Sequence, residues 1–304
     1  LSGRKFLLNG KSVFQRTVLD QGFYPDGIYT APSDEALIKD IELSMSCGFN
    51  GARLHEKVFE ERFLYHADRL GYMVWGEFPN WGLDHTLPEA VYSVLPVWLE
   101  EVERDFNHPA IIGWCPFNET WDRAGRKQDD RVLQAVYLAT KAADNTRPCI
   151  DTSGNYHVQT DIYDLHDYDQ NPETFKEHYD ELAKGGELWD QVNHRGFMNA
   201  PGHVRQQYDG KKPVFISEYG GIGWGLSEEA WGYGNSPKTP EEFISRFKGL
   251  ADALLDNPEI MGLCYTQLTN VEQEQNGLFT YEREAKFPVE TFHDILSRKA
   301  AIED

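Results

Sequence analysis

The hydrophobic pattern alternates between two kinds of segment. Short, mostly apolar or β-rich runs, typical of buried strands, recur between longer segments with helical spacing. The predicted strands are 14–19, 49–55, 72–78, 111–117, 149–152, 161–168, 213–219 and 260–268. The predicted helices are 34–47, 60–70, 96–106, 129–145, 241–256 and 287–299, and 169–212 is expected to be a loop-rich insertion. Strands that alternate with helices predict a parallel sheet with helices outside it.

Eight such strands predict an α/β fold of the (β/α)₈ or TIM-barrel type, as a single domain over residues 1–304. The length also allows two smaller domains, but no linker or low-complexity tract divides the chain. The alternative is an open doubly wound sheet, which usually has a glycine-rich phosphate loop after its first strand. Here the loop at 20–27 holds Phe23 and Tyr24, so the closed barrel is favoured.

Charge and cysteine content limit the partners and the compartment. The net charge of −21 disfavours nucleic acid and anionic membrane surfaces, and no apolar run approaches the ~18 residues of a membrane helix. We therefore expect neither a nucleic-acid nor a membrane partner. Cys47, Cys115, Cys149 and Cys264 lack metal-binding spacing and are expected to be free, buried thiols. Such thiols suit a reducing compartment and slightly favour the cytoplasm, although the compartment stays open.

Two glutamates follow apolar runs directly. Glu119 comes after 111–117 and Glu218 after 214–217. A carboxylate at a buried strand end loses hydration, so its presence there indicates a role. Because the carboxyl ends of barrel strands meet at one mouth, we expect these two side chains to lie close together. The structural alternative is a buried ion pair with Arg53.

The other predicted strand ends are rich in acids, amides and aromatic rings, a mixture suited to sugar hydroxyls and sugar ring faces. They supply Asp20, Gln21, Arg53, His55, Glu77, Asn80, Asn118, His166, Asp167, Tyr168, Tyr265 and Gln267, with Trp121 and Trp224 in the loops beyond. Any of these could instead be a packed wall residue of the barrel.

In this context four segments resemble one family. They are Asn118-Glu119, Glu218-Tyr219-Gly220, the opening 6–11 and the lead-in 107–114. In this order they resemble the catalytic barrel of glycoside hydrolase family 2, and the resemblance covers nearly the whole chain. Members of that family usually have β-sandwich domains before the barrel, so we expect this chain to be part of a longer protein.

The resemblance implies a retaining glycosidase that acts by double displacement. Glu218 would be the nucleophile and Glu119 the acid/base, with a pKa raised by burial and by the charge of Glu218. Arg53 and Tyr168 would orient the nucleophile, and Asn118 would bind the sugar 2-hydroxyl. The remaining candidate substrate-binding residues are His55, His166, Asp20, Trp121, Trp224 and Tyr265. No cofactor is expected, and no metal ligand is assigned.

Subtype motifs of the family are missing. The segment 78–82 lacks the glutamate and histidine that bind magnesium in the large β-galactosidases. The segment 274–277 lacks the Asn-x-Lys motif of β-glucuronidases and has no cation to hold a uronate. We therefore expect a terminal neutral sugar, β-galactosidase-like because that activity is the commonest in the family. The alternatives within the family are a β-mannosidase, a β-glucuronidase or a pentosidase.

Two other classes of function remain open. One is a non-catalytic carbohydrate-binding barrel that keeps the pocket. The other is a metal-dependent hydrolase with His55, His166 and Asp167 as ligands, although no helical HxxxH pair is present. The expected partner is an oligosaccharide or glycoside substrate, and the oligomeric state stays open.

Overall fold

The structure is a computed structural model that describes residues 1–190, 206–225 and 229–303. A short antiparallel hairpin precedes a curled, parallel sheet of seven strands. The hairpin consists of β1 (Leu7–Leu8) and β2 (Lys11–Ser12). The sheet consists of β3 (Gln15–Asp20), β4 (Gly51–Leu54), β5 (Met73–Glu77), β6 (Ile111–Cys115), β7 (Tyr163–Asp167), β8 (Val214–Gly220) and β9 (Ile260–Thr266).

The order of the sheet is β6-β5-β4-β3-β9-β8-β7, with every pairing parallel. Residues 149–153 occupy the eighth position, between β6 and β7. They form isolated parallel bridges to the β6 side, Trp114 with Cys149 and Asn118 with Ser153. The fifth predicted strand is therefore reduced to two bridges, but the chain follows the predicted (β/α)₈ path.

Seven helices are described. They are α1 (Asp34–Ser46), α2 (Glu61–Leu70), α3 (Ala90–Asp105), α4 (Asp130–Ala143), α5 (Pro172–Ala183), α6 (Pro240–Leu255) and α7 (Val289–Leu296). Each of the seven strands of the sheet is followed by one of them. Between 149–153 and β7 the chain forms no helix, so strict alternation fails at this one crossover.

Two elements differ from the sequence prediction. Helix α3 begins at Ala90 and includes Pro96, the residue at which the sequence pattern predicts the helix to begin. The predicted loop-rich insertion contains α5, which is capped by Asn171 and buries Phe175 and Tyr179. Residues 191–205 of that insertion lie outside the described residues.

The barrel interior below the mouth is filled by large side chains. The rings of Trp75 and Phe215 stack with centroids 6.0 Å apart, and Trp75 Nε1 donates to Gln15 Oε1 at 2.9 Å. Gly113 makes this possible, because a Cβ there would lie 2.2 Å from the Trp75 ring. The barrel is therefore closed below its mouth, which leaves the carboxyl ends of the strands for chemistry.

The four cysteines are free and buried, as predicted. Trp75, Trp98 and Trp114 are fully buried. Within the part of the chain that the structure describes, no helix combines the length and apolar character needed to cross a membrane.

Candidate active site

Glu218, near the end of β8, is buried and held by two donors. Arg53 Nη1 donates to its Oε1 at 3.1 Å, and the Tyr168 hydroxyl donates to its Oε2 at 2.6 Å. Burial, together with the charge of Glu218, raises the pKa of Tyr168, so its hydroxyl keeps the donated proton. The ion pair with Arg53 is thus present, and it acts together with Tyr168 to fix the carboxylate.

Arg53 on β4 connects three strand ends. Its Nε donates to Glu77 Oε1 at 2.6 Å, and its Nη2 donates to Asn118 Oδ1 at 3.0 Å. Its Nη1 also donates to the Ser217 carbonyl at 2.8 Å. All five guanidinium hydrogens point in fixed directions, so one side chain sets the relative positions of Glu218 and Asn118.

His55 lies beside the same ion pairs. Its Nδ1 is 3.2 Å from Glu77 Oε2 and 3.9 Å from Glu218 Oε1. Burial disfavours its protonated form, but the hydrogen bond and charge of Glu77 and the charge of Glu218 raise its pKa to about 9. Burial also works against ionisation of Glu77, yet Arg53 and His55 lower its pKa to about 2. His55 and Glu77 are therefore both ionised at neutral pH.

Glu119 follows β6 and is more exposed than Glu218, with 23% of its side chain accessible against 5%. Its backbone is left-handed, with φ 46°, and its N–H donates to the Ser153 carbonyl at 2.9 Å. His166 Nδ1 lies 2.7 Å from Glu119 Oε1 and 3.3 Å from Glu218 Oε2. His166 therefore lies between the two carboxylates.

The pKa of Glu119 shifts in the direction opposite to our prediction. Burial raises it, but the hydrogen bond from His166 and the positive charges of His166, His55 and Arg53 outweigh burial and lower it. The prediction that this pKa is raised is wrong for this arrangement, because it counted Glu218 and omitted the cations.

A buried polar chain supports His166 from behind. Its Nε2 lies 2.9 Å from Ser153 Oγ, which donates to Asp164 Oδ2 at 2.6 Å. Gly154 allows the ring to approach closely, because a Cβ at that position would lie 2.2 Å from Nδ1. These contacts fix the plane of the imidazole between the two glutamates.

The structure brings seven of the predicted site residues together: Arg53, His55, Asn118, Glu119, His166, Tyr168 and Glu218. Trp121 lies next to this group and lines a cleft of about 150 Å³ together with Glu119, Asn80 and Trp81. Their roles in binding stay predictions.

Three predicted site residues make their contacts elsewhere. Asp20 accepts from the Gly22 N–H at 2.8 Å, and burial and the charge of Asp40 raise its pKa to about 6. Tyr265 is buried against Tyr219 and Phe247.

Trp224, the third of these residues, packs with its ring centroid 5.2 Å from that of Phe287. It lines a separate cavity of about 410 Å³ with Asn270 and Lys286. None of the contacts described for Trp224 involves Glu119 or Glu218.

Several residues of the site were missed or left without a role. Glu77 and Asn80 were among the strand-end candidates, and Asn80 holds Asn118 through both backbone groups, at 2.6 and 2.9 Å. Ser153 and Thr266, which lies 2.9 Å from the Tyr168 hydroxyl, were not considered. Thr266 ends β9 and lies near the end of the predicted strand 260–268, so the strand-end rule could have indicated it.

Glu119, His166 and Glu218 each offer one ligand atom, and these three atoms lie within 4.8 Å of one another. Such a set could hold a metal ion. It also places the two carboxylates close enough to act on one sugar carbon, about 5–5.5 Å being usual for retaining glycosidases and about 6.5–9.5 Å for inverting ones.

Comparisons with known proteins agree with this geometry. The family model described as "Glycosyl hydrolases family 2, TIM barrel domain" matches residues 1–232. A β-glucuronidase of Rattus norvegicus is 32% identical over 158 residues, which cover 47% of this chain and 22% of that protein. A β-galactosidase of Lactococcus lactis subsp. lactis (strain IL1403) is 31% identical over 150 residues, which cover 46% of this chain and 14% of that protein.

Among solved structures, a GH2 β-galacturonidase from Eisenbergiella tayi bound to galacturonate matches with a TM-score of 0.70 at 19% identity. The match covers 97% of this chain and 53% of that chain. It shows the fold. The chain thus spans about half the length of this solved structure. The segments matched in the rat and Lactococcus proteins are a smaller part of those proteins.

Proposed function

Because this chain belongs to glycosyl hydrolase family 2, of which it holds the TIM barrel domain, we propose that it is a retaining β-glycosidase that releases terminal neutral sugars. The observation that supports retention is the carboxylate pair, whose nearest ligand atoms lie within 4.8 Å. An inverting enzyme needs room for a water between the sugar and its base, and so a wider separation.

In the first step Glu218 attacks the anomeric carbon. Its carboxylate oxygen forms an ester bond to that carbon while the bond from the carbon to the leaving oxygen breaks. Arg53 and Tyr168 hold the carboxylate in one orientation, so the attacking oxygen is positioned before the sugar arrives.

The leaving oxygen must take up a proton in the same step. Glu119 Oε1 lies 2.7 Å from His166 Nδ1, so the two side chains form one hydrogen-bonded unit. We assign the acid role to Glu119 within this hydrogen-bonded unit, because Glu119 lines the exposed cleft. The hydrogen-bonded chain through Ser153 to Asp164 keeps the ring in place.

In the second step Glu119 acts as a base. It removes a proton from a water, which attacks the anomeric carbon as the bond to Glu218 breaks. The lowered pKa of Glu119 suits this step, because the group is then ionised when the water arrives. Two displacements at one carbon give retention of configuration.

The proposed sugar is neutral and β-linked, with a β-galactosidase-like activity first. The Lactococcus relative is named a β-galactosidase, which supports this choice. The β-glucuronidase name of the rat relative keeps that activity as an alternative, beside a β-mannosidase or a pentosidase. Among non-enzymatic functions, a carbohydrate-binding barrel is the alternative.

The first experiment is a panel of nitrophenyl β-glycosides (galactoside, glucoside, mannoside, xyloside and glucuronide) with the wild type and Glu218→Gln. We expect turnover of at least one neutral glycoside, and a loss of about 10⁴-fold or more in kcat in the variant, which keeps the shape but not the nucleophile. Glu284→Gln, at an exposed position, is the control and should retain full activity.

Two outcomes contradict the proposal. Equal rates in the wild type and Glu218→Gln would exclude the nucleophile. Activity that disappears with a strong chelator and returns with a divalent metal would instead support a metal-dependent hydrolase at the Glu119–His166–Glu218 set.

A further inference from the structure

A cleft of about 150 Å³ opens beside Glu119, between the loops that follow β5 and β6. Residues of the segments 80–85 and 119–123 line it. Since Glu119 is the proposed acid, the group that receives its proton lies on this side of the mouth. We call this space the leaving-group cleft.

Two tryptophans of the leaving-group cleft are exposed. Trp81 is 57% accessible and Trp121 is 43% accessible, and neither indole stacks on another ring among the described residues. By contrast, Trp75, Trp98 and Trp114 are fully buried. Exposed indoles offer flat apolar faces to a ligand ring. A cavity of ~150 Å³ holds about one benzene-sized ring, so the cleft suits a single ring and not an extended chain.

Two acids of these loops each have a cation of their own. Lys127 Nζ lies 2.6 Å from Asp122 Oδ2, and Arg126 Nη2 lies 2.6 Å from Asp84 Oδ2. The charges of both carboxylates are therefore matched within the protein, and they do not need Arg123 as a partner.

Arg123 is a cation of the cleft without such a match. Its residue is exposed, and its guanidinium forms no ion pair or hydrogen bond with any residue that the structure describes. The charge of Glu119, in the same cleft, is already matched by His166 at 2.7 Å. A guanidinium presents planar donors that fit a carboxylate, so Arg123 indicates an anionic group on the ligand.

His85 adds a neutral polar group to the same cleft. The residue is 6% exposed, and its ring packs edge-on against Phe117 with centroids 5.1 Å apart. Its Nε2 has no hydrogen-bond partner in the described part of the chain. Burial lowers the pKa of His85 to about 4, so the imidazole is uncharged at neutral pH. A buried polar atom without a partner is costly, and a polar ligand atom in the cleft would relieve that cost.

We propose that the leaving-group cleft binds an aromatic aglycone of one ring that carries a carboxylate, with Trp81 and Trp121 against the ring and Arg123 on the carboxylate. This inference rests on the proposed glycosidase function, since it names the leaving group of that reaction. The substrate is then an aryl β-glycoside, and the second product is an acidic phenol. A second neutral sugar in the cleft would leave Arg123 without a charged partner.

The test uses two β-glycosides of the sugar that the nitrophenyl panel identifies, with 4-carboxyphenyl and 4-carbamoylphenyl as leaving groups. The two aglycones have nearly the same shape and differ in charge. In Arg123→Gln, we expect kcat/KM for the carboxyphenyl glycoside to fall about 3- to 10-fold relative to the carbamoylphenyl glycoside, because one exposed charge-assisted contact is lost. Comparing two proteins on the same pair of substrates cancels the intrinsic reactivity of the leaving groups.

Two further variants separate charge from ring stacking. Arg131→Gln is the matched control, because it removes the same charge from an exposed arginine of α4 that pairs with Asp129 outside the cleft. It should leave the ratio of the two substrates unchanged. In Trp121→Ala, kcat/KM should fall by a similar factor of about 3 to 10 for both substrates, since both present the same ring to the indole.

The same substrate ratio in the wild type and Arg123→Gln would overturn the inference, as would a wild type with a higher kcat/KM for a disaccharide of the same sugar than for either aryl glycoside. If the wild type hydrolyses no glycoside, NMR titration of both proteins with 4-hydroxybenzoate and 4-hydroxybenzamide decides it without turnover. Tighter binding of 4-hydroxybenzoate in the wild type alone would support the cleft while the proposed reaction fails. Equal affinity ratios in the two proteins would overturn the inference as well.

Discussion

At the scale of single residues, the surroundings of Glu119 and Glu218 give two identical side chains different properties. Glu218 accepts from Arg53 and Tyr168 and is nearly inaccessible, whereas Glu119 contacts His166 and borders a cleft. A nucleophile needs fixed position and a stable charge, whereas an acid/base must exchange protons with its surroundings. The environment therefore separates the proposed roles more sharply than residue type does.

The raised pKa of His55 predicts how stability changes with pH. Folding raises this pKa from an ordinary ~6.5 to about 9, so protonated His55 stabilises the fold fully below pH ~6.5. This contribution, of the order of 3 kcal/mol, is lost as the pH rises through about 9. Urea unfolding of the wild type and His55→Asn at pH 6.5 and 9.5 measures it.

The difference in unfolding free energy between these two proteins isolates His55 from other titrating groups. We expect it to shrink by most of its value between the two pH values. A difference that stays constant from pH 6.5 to 9.5 would show that Glu77 and Glu218 do not raise the pKa of His55.

The residues at strand ends could be predicted from the sequence, but the side of the sheet on which each side chain lies could not. Leu19 is in register with Arg53, and Asp20 with Leu54. Since alternate residues of a strand face opposite sides, Asp20 lies on the face opposite to that of Arg53. The pKa of Glu119 was equally beyond prediction, because it depends on His166, which only the fold brings close.

At the scale of elements, buried strands and capped helices were predictable. Short apolar or β-rich runs predicted all seven strands of the sheet. Gly71 ends α2 in the left-handed conformation, as its position suggested. Two elements differ from the prediction. Helix α3 contains Pro96 in its interior, and α5 begins after Asn171 within the predicted loop-rich insertion. Proline and asparagine alone do not define where a helix begins, because tertiary packing decides whether the helix continues through them.

The packing of β5 against β6 predicts a steric effect. Gly113→Ala places a Cβ against the ring of Trp75, which also stacks on Phe215 and cannot move freely. We expect a loss of about 1–3 kcal/mol in the free energy of unfolding, measured by urea titration.

Gly82→Ala provides the control for this substitution, because nothing lies within 4 Å of an added Cβ there. Its stability should match that of the wild type. Equal stability of the two alanine variants would contradict the described packing of Trp75.

At the scale of the whole molecule, the barrel brings distant segments to one mouth. The groups around Glu218 come from β4, β7, β9 and the segment after β6, and the two most distant, Arg53 and Thr266, are 213 residues apart in sequence. Neither Arg53 nor Tyr168 is near Glu218 along the chain, yet both donate to it. Closure of the sheet is therefore what converts two strand-end glutamates into a pair.

The most direct test of retention is the configuration of the first product. Proton NMR of the sugar released from a nitrophenyl β-glycoside, recorded before mutarotation, shows which anomer forms. The carboxylates of Glu119 and Glu218, each with an oxygen within 4.8 Å of the other, predict the β-anomer. Initial release of the α-anomer would contradict the assignment of Glu218 as a nucleophile and of Glu119 as its acid/base partner.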